Sequence, residues 1–285
     1  MSGQFERYTT PPPLCREPGF IRDTRELVEE NGGIAQAVAE TFEQANITVE
    51  VDGDVSQWSN AGQGAILVGD HRNGVEYAPL LAVFGNMGRE DMRFVAKPFS
   101  MQARVMGSLG LEGAGLTLLV IPGTLASNRK DKINRDLCWR IANRGNLPTK
   151  DEIKTLNADT LQGCADLAES GHAVTLYPTG GVMDATKKPW QRGLGRVIKQ
   201  LPAESRDSVA IVPFRFDDFS KLRLIRSLTM ASRGVISRPQ TITLRTGKQG
   251  TVNEVLAGAT DELTADEITA VLRKQFITAF GELEH

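Results

Sequence analysis

Apolar and polar positions along the chain change period several times, and each change marks an element. Over residues 23–46, Leu27, Val28, Ile34, Val38, Phe42 and Ala45 recur at helical spacing, with Gly32 and Gly33 interrupting them. That spacing predicts a helix or a broken pair, with Asp23 or Thr24 as the cap. ITVEV (47–51) alternates like a half-buried strand, a DGD turn follows, and GAILVG (64–69) is a continuous apolar run, the pattern of a strand covered on both faces. Helical spacing returns over 77–84, after which RFVAK (93–97) and LTLLVI (116–121) read as strands. Helices are predicted over 132–143 and 150–170, the second stopped by Gly171 before the strand AVTLYP (173–178). A helix over 189–202, the strands VAIVPF (209–214) and TITLR (241–245), and a last helix over 264–280 with Asp266 and Glu267 in its first turn complete the series.

Strands that alternate with helices predict an α/β fold: a mixed, largely parallel sheet flanked by helices on both faces. The proline-bearing stretch 1–22 lacks periodicity and is expected to lie as an arm over the surface. The expected organisation is an N-terminal arm and helical segment over 1–46, one main domain over 47–282, and a tag remnant over 283–285.

Composition removes several function classes. A net charge of −2 in 285 residues argues against a nucleic-acid binder acting through its overall field. Cys15, Cys138 and Cys164 have neither paired spacing nor a histidine cluster, so neither a disulfide framework nor a metal site is expected, and a reducing cytoplasm fits best. The apolar runs fall far short of the roughly 20 residues that span a bilayer. The protein is therefore expected to be cytoplasmic, with peripheral contact at the inner membrane surface as its closest approach to lipid.

Two apolar runs, AILVG and HAVTLYP, each deliver a polar, glycine-bearing turn. The first turn carries His71 and, five positions on, Glu76. In a continuous helix such side chains point about 140° apart, so they can cooperate only if His71 precedes the helix, and Gly74 permits that irregular turn. A carboxylate on one imidazole nitrogen would leave the other free to take a proton from a hydroxyl or amine. With 35 acidic residues in the chain, an acid at that place arises by chance about once per eight histidines, so the spacing alone decides little. His172, at the head of a strand, is expected to be structural.

The order of the blocks GDHRNGVEYAPLL, RFVAKPF, SNRKDKINR, LYPTGG and AIVPF resembles the glycerolipid acyltransferase family, which includes lysophosphatidate and glycerol-3-phosphate acyltransferases. The resemblance spans roughly residues 47–282. It implies that His71 is the general base and Glu76 its orienting acid, and that Lys97 and Arg129 match the family's substrate-binding lysine and second-block arginine. It also assigns substrate binding to the third block, where Tyr177, Pro178, Thr179, Gly180, Gly181 and Val182 stand in place of phenylalanine, proline, glutamate, glycine, threonine and arginine. Both charged residues are missing there, so the resemblance implies acyl transfer and leaves the acceptor open. Backbone N–H groups of Gly180 and Gly181, with Lys187, Lys188 and Arg192 nearby, are candidates to rebuild an anion site.

The implied co-substrate is acyl-CoA or an acyl carrier protein, with no further cofactor. An acyl-thioester hydrolase on the same dyad, and a noncatalytic acyl-carrier or lipid-binding module, are the competing readings. Independently of any family, residues 219–253 hold seven basic and no acidic residues, including Lys221, Arg223 and Arg226, interleaved with Leu222, Leu224, Ile225, Leu228 and Met230. Such a segment suits contact with anionic lipid or an acidic carrier protein, or else a core-packed helix with solvated arginines.

Overall fold

The computed structural model describes residues 17–97, 100–109, 117–120 and 147–281. In chain order these form α1 (Gly19–Asn31), α2 (Ile34–Gln44), β1 (Ile47–Asp52), β2 (Ala65–Gly69), α3 (Tyr77–Asn86), β3 (Met92–Ala96), α4 (Met101–Ser108) and β4 (Thr117–Leu119). There follow α5 (Lys150–Glu169), β5 (Ala173–Leu176), α6 (Gly193–Gln200), β6 (Ala210–Asp217), α7 (Lys221–Ala231), β7 (Gln240–Thr246), β8 (Gly250–Thr251), the single turn α8 (Val252–Val255) and α9 (Ala265–Phe280).

The strands make one sheet in the order β1-β7-β6-β2-β5-β3-β4, with β8 on the flank of β6. Pairing is parallel from β6 through β2, β5 and β3 to β4 and between β1 and β7, and antiparallel where β6 meets β7 and β8. The expected α/β class, mixed and largely parallel, is therefore the observed one.

Because successive side chains of a strand point to opposite faces, β2 feeds two cores at once. Leu67 packs with Phe42, Leu80, Phe84, Phe94 and Phe214 beneath α1, α2, α3 and α7, whereas Ile66 and Val68 pack with Cys164, Val174, Val197, Ile211 and Leu272 beneath α5, α6 and α9. All five residues of β2 are buried, which is why its sequence shows no polar alternation. On the first face α2 and α3 touch backbone to backbone: a Cβ on Gly85 would stand 2.2 Å from the carbonyl oxygen of Ala35. Arg89, fully buried, anchors the opposite edge of the sheet. Its guanidinium pairs with Asp91 just before β3 and donates to the carbonyls of Trp58, Gln63 and Gly171, the last two close to the starts of β2 and β5.

Several boundaries differ from the sequence reading. The first helix starts at Gly19 behind Pro18, so neither Asp23 nor Thr24 caps it. The Thr24 hydroxyl instead bonds back to the Phe20 carbonyl at 2.7 Å and meets the Thr41 hydroxyl at 2.9 Å between the paired helices. Residues 189–192 are not helical, because Gln191 donates its N–H to the Pro178 carbonyl at 2.7 Å and Trp190 its indole N–H to the Ala185 carbonyl at 2.8 Å. Those tertiary bonds hold the segment as a loop and delay the helix to Gly193. Two helices, α4 and α7, arise where the period count predicted none outright. Of the predicted strand 116–121, residues 117–120 are described and Thr117–Leu119 form the strand, and the predicted helix 132–143 lies outside the described residues.

Candidate active site

Parallel strands bring their carboxyl ends to one edge, and a crevice opens there between adjacent strands whose following helices pass to opposite faces. β2 and β5 meet that condition. The helix after β2, α3, packs in the first core through Leu80, Leu81 and Phe84, and the helix after β5, α6, packs in the second through Leu194, Val197 and Ile198. His71 follows β2 and Tyr177 follows β5, so the fold delivers both to the crevice.

The two turns are fastened to each other residue by residue. The Asp70 carboxylate accepts the N–H of His71 at 3.0 Å and that of Ala185 at 2.9 Å. Met183 donates its N–H to the His71 carbonyl at 2.7 Å, and the Arg72 guanidinium bridges Asp70 and Asp184. Burial pushes the Asp70 carboxyl up, against the downward pull of the Ala185 N–H and Arg72, and the net direction is upward. The sequence gives no sign of the roles of Asp70 and Arg72, because Ala185 and Asp184, which they hold, lie more than a hundred residues away.

Within the first turn, Gly74 takes a φ of +77°, a left-handed conformation open to glycine, and the helix begins only at Tyr77. His71 thus sits ahead of the helix. Its Nδ1 lies 2.9 Å from Oε2 of Glu76, with the carboxylate 3% and the imidazole 15% exposed. The approach is oblique to the ring N–H direction, so it is an electrostatic contact before it is an aligned hydrogen bond. The second carboxylate oxygen of Glu76 accepts the N–H of Asn73. Burial pushes Glu76 up, but His71 and the Asn73 N–H outweigh it and hold the carboxyl below its usual range. An ionised carboxylate at Nδ1 fixes the ring and leaves Nε2 for an incoming proton.

Tyr177 stacks on that imidazole, ring centroids 4.3 Å apart and planes 24° from parallel. Its hydroxyl is buried without a hydrogen-bond partner among the described residues, and burial raises its pKa well above the ordinary tyrosine value. In the rest of the third block, the Thr179 hydroxyl donates to the Gly181 carbonyl at 2.9 Å and Pro178 is buried. The Gly180 N–H donates to the Tyr177 carbonyl at 3.0 Å, so it closes the turn and is not free to hold an anion as expected. Lys187 stands 3.9 Å from Asp184, while Lys188 and Arg192 are exposed.

Lys97 immediately follows β3 and is half-buried at the same sheet edge as His71, with β5 between them. Arg129 lies outside the described residues. Lys221 opens α7 at the rim of an apolar cavity, and Arg223 and Arg226 are exposed on the same helix. That cavity, about 320 Å³, is walled by Ile21, Phe42, Val75, Tyr77, Ala78, Leu81, Met106 and Leu228, so the residues bracketing Glu76 form part of its lining. His172 lies at the other end of β5, with Nδ1 3.1 Å from the Ser170 hydroxyl, away from the crevice. Burial pushes the Cys164 thiol up to about 12, which removes it as a nucleophile.

No family model matches the chain, and no curated protein matches it. Among solved structures the chain is similar to the 1-acyl-sn-glycerophosphate (LPA) acyltransferase PlsC from Thermotoga maritima, at 14% identity and a TM-score of 0.37, over 84% of this chain and 80% of that one.

Among the described residues, no helix is long and apolar enough to cross a membrane.

Proposed function

We propose that this protein is an acyltransferase that moves a fatty acyl group from a thioester of coenzyme A or acyl carrier protein to a hydroxyl or amine of a lipid-like or small-molecule acceptor. One observation carries the reading: a buried carboxylate against a half-buried imidazole stands at the sheet edge, and the residues on either side of that carboxylate line an apolar cavity. A base beside a greasy cavity suits a substrate with a polar reacting end and a hydrocarbon tail.

In this mechanism Nε2 of His71 takes the proton of the acceptor hydroxyl or amine as its oxygen or nitrogen attacks the thioester carbonyl carbon. The tetrahedral oxyanion collapses, the C–S bond breaks, and the thiolate leaves with the proton held by the imidazolium. Glu76 keeps Nδ1 protonated and stabilises the charged ring, and Tyr177 holds the ring plane. Lys97 and Arg129 remain the proposed donors toward the substrate's charged groups, with the 177–181 turn as the acceptor's floor. Arg72, next to the base in sequence, is engaged by Asp70 and Asp184, which supports an acceptor without a phosphate. We propose the cytoplasm as the place of this reaction.

The test is mass-spectrometric detection of acyl transfer from palmitoyl thioesters to glycerol-3-phosphate, lysophosphatidate and non-phosphorylated alcohols and amines, with wild type beside His71→Ala. Histidine-dependent acyl product is the expected result. Free fatty acid released at the same rate without acceptor would make the protein a thioester hydrolase, and tight acyl binding with no turnover would make it a binding module.

A further inference from the structure

Six large apolar side chains are exposed among the described residues: Val182, Met183, Leu222, Ile225, Val235 and Ile236. They fall in three short segments, and the topology brings all three to one place. Residues 182–183 follow β5, α7 follows β6, and residues 235–236 lead into β7. β5 and β6 run parallel, and β7 runs antiparallel to β6, so the carboxyl ends of the first two and the start of the third share the edge that carries His71. With neighbouring strands about 4.8 Å apart, the segments spread over roughly 14 Å of that edge. Leu222 and Ile236 are 80% and 86% exposed, standing out from the surface with no core to enter.

The charge around them is mainly basic. Arg223, Arg226, Arg233 and Arg238 are exposed, and none forms an ion pair among the described residues. Arg223, Arg226 and Arg238 line one open groove of about 990 Å³ with Ile236, and Asp218 is the carboxylate in its wall. Apolar tips set among unpaired guanidinium groups match a surface whose phosphates lie above hydrocarbon. A folded acidic protein would instead need one compact, shape-matched patch with its exposed anchors clustered at the centre. The spread over three segments favours the layer.

We propose that this edge docks on an anionic lipid bilayer, with the four arginines against lipid phosphates and Leu222 and Ile236 seated in the apolar boundary. The docking stands on exposure and charge alone and does not depend on the acyl-transfer reading, although it would bring the crevice of His71 to the membrane face.

Sedimentation of the full chain with phosphatidylcholine vesicles, with and without phosphatidylglycerol, tests it. Wild type is expected to bind the anionic vesicles and to release as salt rises. Each basic residue near such a surface is worth about fivefold in partition, so Arg223→Glu with Arg226→Glu should lower binding by at least about 25-fold. Leu222→Ser with Ile236→Ser should lower it about tenfold or more, because their burial in the boundary is lost. All four positions are exposed, and circular dichroism verifies that the variants fold. Equal binding to both kinds of vesicle, unchanged binding of the charge-reversed variant, or arginine-dependent binding of an acidic acyl carrier protein with none to vesicles would overturn the proposal. His71→Ala should bind vesicles like wild type, so failure of acyl transfer and failure of docking are read separately.

Discussion

Tyr177 lies face to face with His71 at a centroid distance of 4.3 Å, although 105 positions separate them in the chain. The stack holds the imidazole plane, and a flat π face also favours the cationic ring. Tyr177→Phe keeps the stack and removes a buried hydroxyl that has no hydrogen-bond partner among the described residues. It should leave turnover near wild type and stability unchanged or raised by about 1 kcal/mol. Tyr177→Leu removes the aromatic face and should lower kcat about tenfold with a smaller change in KM. Steady-state kinetics and chemical denaturation of both variants check this pair.

His71→Ala should reduce acyl transfer by about 10²–10⁴-fold in a protein that still folds, the range a positioned general base supplies. Glu76→Gln should retain part of the rate, because the imidazole remains while its charged orienting partner is lost. Wild-type rates in folded His71→Ala would end the general-base assignment.

Glu76 also makes a prediction about pH. Its carboxyl is held below the ordinary value of 4.5, so the unfolded chain binds the proton more readily than the folded one. The resulting stabilisation is full above that ordinary value and is lost as pH falls through the depressed folded one. The stability gap between wild type and Glu76→Gln should therefore shrink on acidification below about pH 4.5. Urea titrations of both proteins across the acid range measure the gap, and a gap that widens there contradicts the linkage.

Ala78 lines the apolar cavity two residues beyond Glu76. Ala78→Phe adds an aromatic ring to the wall and should move the preference for acyl thioesters toward shorter chains, read as kcat/KM against chain length. An unshifted profile would place the acyl tail elsewhere.

Arg89 is fully buried, and its partners are one carboxylate and three backbone carbonyls at the edge of the sheet remote from His71. Arg89→Met leaves Asp91 unpaired and three carbonyls short of a donor, so it should cost about 3–5 kcal/mol of stability. Its folded fraction should keep the wild-type kcat, because the strand ends it fastens are not those that carry the crevice.

The sequence by itself determined the local elements whose signals are complete within a few residues. The continuous apolar runs of β2 and β6 announced strands buried on both faces, and Thr149 with Glu152 and Thr264 with Glu267 form the capping boxes that start α5 and α9. Cooperation of His71 with Glu76 demanded a turn ahead of a helix, which Gly74 between them permits, and such a turn is observed. Tertiary structure alone decided the strand order, the seating of Tyr177 on His71, the fastening of Asp70 to Ala185 and of Arg72 to Asp184, and the loop that delays α6. It also decided that Gly180 closes a turn and that the apolar cavity opens between α1, α2 and α7. The physical reason is range. Period, capping and glycine conformation act between residues a few positions apart, whereas those contacts join segments whose proximity exists only after the sheet has chosen its order and each crossing helix its face.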